Sequence, residues 1–227
     1  MFSEEMQVLF LHMIPLECFN TLYMVFFSLF LSILLGLPLG LLLHLTKQKR
    51  LCIPQFIYSS LSWGVGVLRS FPFAILMVAL IPLARVLIGT SLGTHASIIS
   101  LSIAATPFIA RLFEQSFDLV DIGTINACLL MGASTRQLIS SVLIPESLPH
   151  LIQGATTTAI TLISYSAMVG AVGGGGLGKI AIQYGYLRFD TEVMVFTIVL
   201  LILLVQGIQY VGNFLSSRIL RERGLLP

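Results

Sequence analysis

TLYMVFFSLFLSILLGLPLGLLLHL, residues 21–45, runs for 25 positions without a charged side chain. About 20 mainly apolar residues suffice for a helix to cross the hydrocarbon of a bilayer, so this stretch by itself predicts a membrane span. The cluster Lys47, Lys49 and Arg50 follows it. The rest of the chain has the same character. Of 227 residues, 56% are hydrophobic and 10% charged, and mean hydropathy is +0.98. Soluble domains carry roughly 25% charged residues, so a soluble fold would leave large apolar surfaces in water. That excludes a soluble enzyme and a disordered chain. The net charge of +2 is too small to argue for nucleic acid. The fold class is an all-α polytopic membrane protein.

Outward from residues 21–45, residues 51–89 are apolar but too long for one simple span. Arg69, Ser70 and Pro72 interrupt them, and residues 56–68 are rich in Ser and Gly. A third segment covers residues 93–110 and is closed by Arg111. A fourth covers 151–172 and a fifth 193–215, followed by Arg218, Arg221 and Arg223. Cytoplasmic loops carry the excess of Lys and Arg. Five spans put eight basic residues on one side: Lys47, Lys49, Arg50, Arg111, Arg136 and the Arg218 cluster. Arg85, Lys179 and Arg188 fall outside with Glu4, Glu5 and Glu17. Six spans would split the two basic clusters between opposite faces. The expectation is therefore five transmembrane helices, N-terminus out and C-terminus in. The second passage is one element bent at residues 70–72, where proline removes a backbone donor. No repeat or long linker stands out, so residues 1–227 form one domain, with a core of about 17–215.

The opening residues MFSEEMQVLFLHMIP lack a basic n-region, and no cleavable signal peptide is expected. Cys18, Cys52 and Cys128 have no CxxC spacing and read as small buried hydrophobes. His12, His44, His95 and His150 share no metal-ligand spacing, so no metal site is expected.

Between spans three and four lies a polar stretch, residues 118–150, longer than an ordinary connection. It reads as two short helices. Ile122, Ile125 and residues 127–131 give the first an apolar face. Gly132 ends it in a left-handed cap. Ser134 caps the second, whose body is 136–143. Pro145 and Pro149 then bracket a turn into span four.

This stretch resembles the cytoplasmic loop of type I permease subunits of bacterial ABC importers, whose pattern is E-A-A-x3-G-x9-I-x-L-P. The matching positions are Asn126, Ala127, Cys128, Gly132, Val142, Ile144 and Pro145. Asn126 stands for the usual Glu and Cys128 for Ala. GLPLGLLL (36–43), RSFPFAILMVALIP (69–82), GTSLG (89–93), ATPFIARLFE (105–114), MGAST (131–135) and YSAMVGAVGGGGLGKIAIQYGY (165–186) resemble the methionine-import branch. The resemblance spans about residues 20–215. It implies a coupling helix at 126–131 that docks on a separate ATPase, with Asn126, Ala127, Cys128, Met131, Gly132, Ala133, Ser134, Ile144 and Pro145 as the ATPase-coupling residues. It also implies a multi-pass subunit of the bacterial inner membrane that imports L-methionine, with D-methionine a second candidate, or else another small amino acid or solute. The implied partners are a second copy of the chain, two cytoplasmic ATPases that hold the ATP and magnesium, and an extracytoplasmic substrate-binding protein or lipoprotein. The chain itself is expected to be no enzyme, with no catalytic residue and no cofactor.

The glycine run Gly173, Gly174, Gly175, Gly176 and Gly178 mimics nucleotide loops. It fails on context: an apolar helix precedes it where a dinucleotide fingerprint follows a strand, and Ile180 replaces the Ser or Thr of a phosphate loop. A tightly turned backbone at the outer mouth is expected instead. In the resembled family an acidic or neutral residue is usual where Lys179 stands. Arg69 either snorkels to the interface or faces the bundle interior. Tyr165, Ser166 and Met168 either pack helices through small groups or line the path with Arg69. Paired intramembrane acids are not seen, which argues against an ion-coupled transporter, the rival from another class.

Overall fold

The first apolar stretch folds as one helix, α1 (Ile14–Lys47), in a computed structural model that describes residues 12–47, 55–90 and 92–222. Glu4, Glu5, Lys49, Arg50, Cys52, Ser91 and Arg223 lie outside the described residues. α1 buries a stripe spaced at three to four residues: Glu17, Thr21, Met24, Ser28, Ser32, Gly36 and Gly40. Its large side chains, Phe19, Phe26, Phe30 and Leu34 among them, face outward. This inverts the soluble pattern. Lipid takes the apolar surface, and small residues let helix backbones approach.

The stripe packs on α4 (Thr94–Asp118). Ser28 Oγ donates to the Ile98 carbonyl at 3.3 Å and Ser32 Oγ to the Ser102 carbonyl at 3.2 Å. A Cβ on Gly40 would lie 2.6 Å from the Ala110 carbonyl oxygen. His44 Nδ1 meets Asp118 Oδ1 at 2.8 Å. The offset stays between 70 and 74 from one end to the other, so α1 and α4 run parallel. Interhelical polar contacts of this kind contribute about 0.6 kcal/mol each on average.

The second passage breaks where the sequence predicts. α2 (Gln55–Ser70) and α3 (Phe73–Ile88) meet at an angle of 101°, far sharper than a kink. Pro72 holds φ −58° and ψ 128° ahead of α3, extended backbone that proline imposes and favours. The pair still follows α4 end to end. Tyr58 bonds Glu114 at 3.3 Å, Ser62 accepts from Arg111 at 2.8 Å, and Arg69 lies over Phe108. Met77 and Ala84 then border the same hollow as Ala96 and Ser100.

Past the break come α5 (Ile122–Leu130) and α6 (Thr135–Leu138), the π-turn Ile139–Leu143, α7 (Ile144–Ala171), and α8 (Leu177–Ile180) with its π-helical extension Ala181–Tyr186. Last is α9 (Thr191–Glu222). α7 lies antiparallel to α4, with Gly154 against Phe113 and Gly174 against Ser97. α9 lies antiparallel to α7, with Gly212 against Thr156, and Ser216 donating to the Pro149 carbonyl at 3.2 Å. Among the described residues the elements are all helical. Three helices, α1, α4 and α9, are long and apolar enough to cross a membrane, and α2 with α3 makes a fourth if the bent pair is one span. α7 is 28 residues long, but its threonines and serines lower its hydropathy.

Several expectations are corrected. Arg111 does not close the third segment: α4 continues to Asp118, because Glu114 neutralises the guanidinium at 2.5 Å. Pro145 and Pro149 do not bracket a turn. Both lie within α7. The π-turn just before them shifts the bonding register, so that Ile144 N–H donates to the Ile139 carbonyl, where the prolines have no donor to offer. Beyond the glycine run the chain is again helical, since α8 and its extension cover residues 177–186.

Candidate functional site

The hairpin after α4 is built by local signals. Asp121 caps α5, its carboxylate accepting from Thr124 N–H at 3.0 Å. The helix ends at Gly132, φ 82°. There Gly132 N–H donates to the Leu129 carbonyl at 3.0 Å and Ala133 N–H to the Cys128 carbonyl at 3.2 Å, the two-bond closure that a left-handed residue permits. Ser134 opens α6 with a capping box: its hydroxyl accepts from Gln137 N–H, and the Gln137 side chain accepts from Ser134 N–H at 2.8 Å.

The hairpin has two faces. Ile125, Leu138, Val142 and Leu143 are buried against Phe113 and Phe117, which fixes it to the end of α4. Ile122, Leu130 and Met131 point outward, Leu130 at 89% exposure and Met131 at 79%. Ala127, Gly132 and Ser134 are exposed, Asn126, Cys128, Ala133, Ile144 and Pro145 half-buried. The structure thus brings the sequence-singled positions into one unit: a short rigid hairpin anchored on one side, with an apolar tip on the other. Around its root, Lys47 Nζ and His44 Nδ1 hold the two oxygens of Asp118 at 2.5 and 2.8 Å, tying the end of α1 to the chain that enters the hairpin.

At the opposite end of the helices the glycine run is pinned. Glu17, only 6% exposed, accepts from Gly176 N–H at 2.7 Å, from Asn20 at 3.0 Å and from Lys179 Nζ at 3.1 Å. Thr21 Oγ1 accepts from Leu177 N–H at 2.8 Å. Gly173, Gly175 and Gly176 all have positive φ. A Cβ on Gly178 would lie 2.5 Å from the Ala167 carbonyl oxygen, and one on Gly174 would overlap Val169. The run is a tight fold whose side-chain-free positions are set by contact. Sequence reasoning missed Glu17 as its anchor. The signal was Lys179, a cation in an apolar neighbourhood that needs an acid.

Between the two ends, α7 leaves one stripe uncovered by its own chain: Thr157, Ser164 and Met168 are exposed, and Thr161 and Tyr165 half-buried. Tyr165 stacks on Phe73 at 4.1 Å and 2°. Ser166 is buried, with its hydroxyl given to the Ile163 carbonyl at 2.7 Å. Arg69 is exposed beside Phe108. Arg69, Tyr165 and Met168 thus lie on open or half-open faces and Ser166 does not. No cluster of metal-ligating side chains occurs among the described residues.

Residues 36–221 match the family described as the binding-protein-dependent transport system inner membrane component. The chain belongs to this family. As an inner membrane transport component of this kind, it has relatives of nearly equal length. It is 46% identical over 200 residues to a probable D-methionine transport system permease protein, MetI, of Vibrio cholerae, covering 88% of this chain and 89% of the relative. It is 44% identical over 199 residues to the methionine import system permease protein MetP of Bacillus subtilis, covering 88% and 90%. A solved structure described as an inward facing conformation of the MetNI methionine ABC transporter superposes with a TM-score of 0.91 at 42% identity, over 96% of this chain and 99% of that one. The binding-protein-dependent permease fold therefore carries the hairpin, the pinned glycine run and the open stripe in one helical unit.

Proposed function

We propose that the chain is the membrane-spanning subunit of an ATP-driven importer for methionine, L- and D- forms included. The observation that carries the reading is the hairpin: a tip of exposed apolar residues, backed by a packed face, suits docking into a cleft on a separate subunit. The relatives' names supply the substrate.

Five crossings are the reading of the membrane topology: α1, the bent pair α2 with α3, α4, α7 and α9. Support comes from direction. α1 and α4 run parallel, α2–α3 and α7 run against them, and α9 runs against α7. Lys47, Arg111, Arg136, Arg218 and Arg221 gather at the hairpin end, while Arg85, Lys179 and Arg188 lie toward the other, so the hairpin end is cytoplasmic. The whole chain acts as one domain. A polar stripe on a membrane helix faces protein or water in preference to lipid. The open side of α7 therefore faces a second copy across a two-fold axis, with the path between them. Asn126, Ala127, Cys128 and Met131 carry the contact with each of two ATPases. ATP and magnesium belong to those partners, and an extracytoplasmic binding protein delivers substrate to the end that holds the glycine run.

Reconstitution with the partner ATPase and binding protein tests this. Methionine uptake that depends on ATP is expected. Uptake undiminished without the ATPase would favour an ion-coupled transporter or channel and overturn the reading.

A further inference from the structure

We propose that Arg69 binds the carboxylate of the transported amino acid midway through the membrane, an inference that rests on the importer reading above. Arg69 sits in the last turn of α2, its guanidinium carbon 5.7 Å from the centre of the Phe108 ring. Phe108 precedes the end of α4 at Asp118 by ten residues, about 15 Å along a helix axis. The guanidinium is therefore well below the layer where Lys47 meets Asp118. It is also one step deeper than Arg111, which is matched by Glu114. Lys47, Arg111, Lys179 and Arg218 each face a carboxylate. Arg69 has no ion pair among the described residues. A cation held at this depth without a counter-ion is costly and marks ion or substrate pathways.

Its surroundings define what would relieve it. Four residues on, past the 101° break, Phe73 lies flat on Tyr165 at 4.1 Å. The break thus places a guanidinium and an aromatic pair on neighbouring turns. A solute with a carboxylate at one end and an apolar thioether at the other matches both. The planar fork of arginine pairs with a carboxylate through two parallel hydrogen bonds. The Phe108 face holds the guanidinium plane while the site is empty. Aromatic edges favour sulfur. No proton or covalent bond moves: the carboxylate is exchanged from water to Arg69 and back.

The test uses the intact complex with its ATPase and binding protein in proteoliposomes, reading methionine imported per ATP hydrolysed. Arg69→Gln should lower that yield about tenfold, the loss of a charge-assisted hydrogen bond. Arg69→Lys keeps the charge without the fork and should fall between the two. Phe108→Leu, which leaves the charge in place, should lower the yield about threefold. Equal yields in Arg69→Lys and Arg69→Gln, or uptake and hydrolysis falling in proportion, would make Arg69 a structural residue and overturn the proposal. So would dissociation of the dimer in Arg69→Gln, which would assign the guanidinium to the partner copy. Failure of the wild-type complex to import methionine would overturn the importer reading itself. A wild-type complex that imports, with an unchanged yield in Arg69→Gln, overturns this proposal alone.

Discussion

Glu17 and Lys179 are 162 positions apart, and each explains the other. Burying a carboxylate is tolerable when charge and hydrogen bonds compensate it, and removing one partner of such a pair is destabilising by about 3–5 kcal/mol. Because Lys179 is a third exposed, solvent screening reduces its share. Lys179→Met should therefore lower the thermal midpoint less than Glu17→Ala, which also orphans Gly176 N–H. Denaturation of the detergent-solubilised chain, followed by near-ultraviolet circular dichroism, would check the order. The sequence marked Lys179 as a departure from its relatives but could not find its acid, since nothing local links the two. Gly40 is the converse case. In sequence it is one glycine among 19, and only the approach of Ala110 and Phe113 shows that the site has no room. Gly40→Val should cost about 1–3 kcal/mol through overpacking, whereas Gly64→Val, with open space around it, should cost far less. The same melts would show whether that ranking holds.

Among the elements, the hairpin was the most legible, because its boundaries are written in short-range chemistry. The Gly132 stop and the Ser134 cap both follow from residues within four positions. Ser134→Ala should cost about 1 kcal/mol, and Gly132→Val about 1–2 kcal/mol for a side chain at positive φ, both read as lowered thermal midpoints. Met131→Asp should leave the midpoint nearly unchanged, since Met131 is exposed, yet abolish most ATP-dependent uptake. Retained uptake in that variant would argue against docking through the tip. What could not be read was the continuity beyond the hairpin. Two prolines five residues or fewer apart signal a break, and only the wider π-turn reconciles them with a helix. The polar face of α7 hid its length in the same way: hydropathy alone underrates a helix whose hydroxyls are satisfied by its own carbonyls, as Thr158 is by Gly154 at 2.8 Å.

For the whole molecule, the apolar composition was enough to place it in a membrane, and the basic clusters supply the proposed orientation. The relative direction of the helices needed the structure. Cys128 offers a direct check of that orientation. With Cys18 and Cys52 changed to Ser, a membrane-impermeant thiol reagent should label Cys128 in inverted vesicles and not in spheroplasts. The reverse pattern would turn the molecule over. Thr161→Cys, on the open stripe of α7, should form an oxidised dimer in membranes if two copies face each other there.

From Thr135 to Ala171 the backbone never leaves a helical path, a rod of about 55 Å at ordinary helical rise. One end of that rod sits beside the exposed hairpin tip and the other runs into the glycine fold that Glu17 clamps to α1. On the proposed importer reading, force applied at the hairpin end can be absorbed in few places along it, chiefly at the five-residue π-turn, where the bonding register is already loosened. Strokes delivered below would therefore reach the far opening as a tilt of the whole shaft, with little lost to bending on the way.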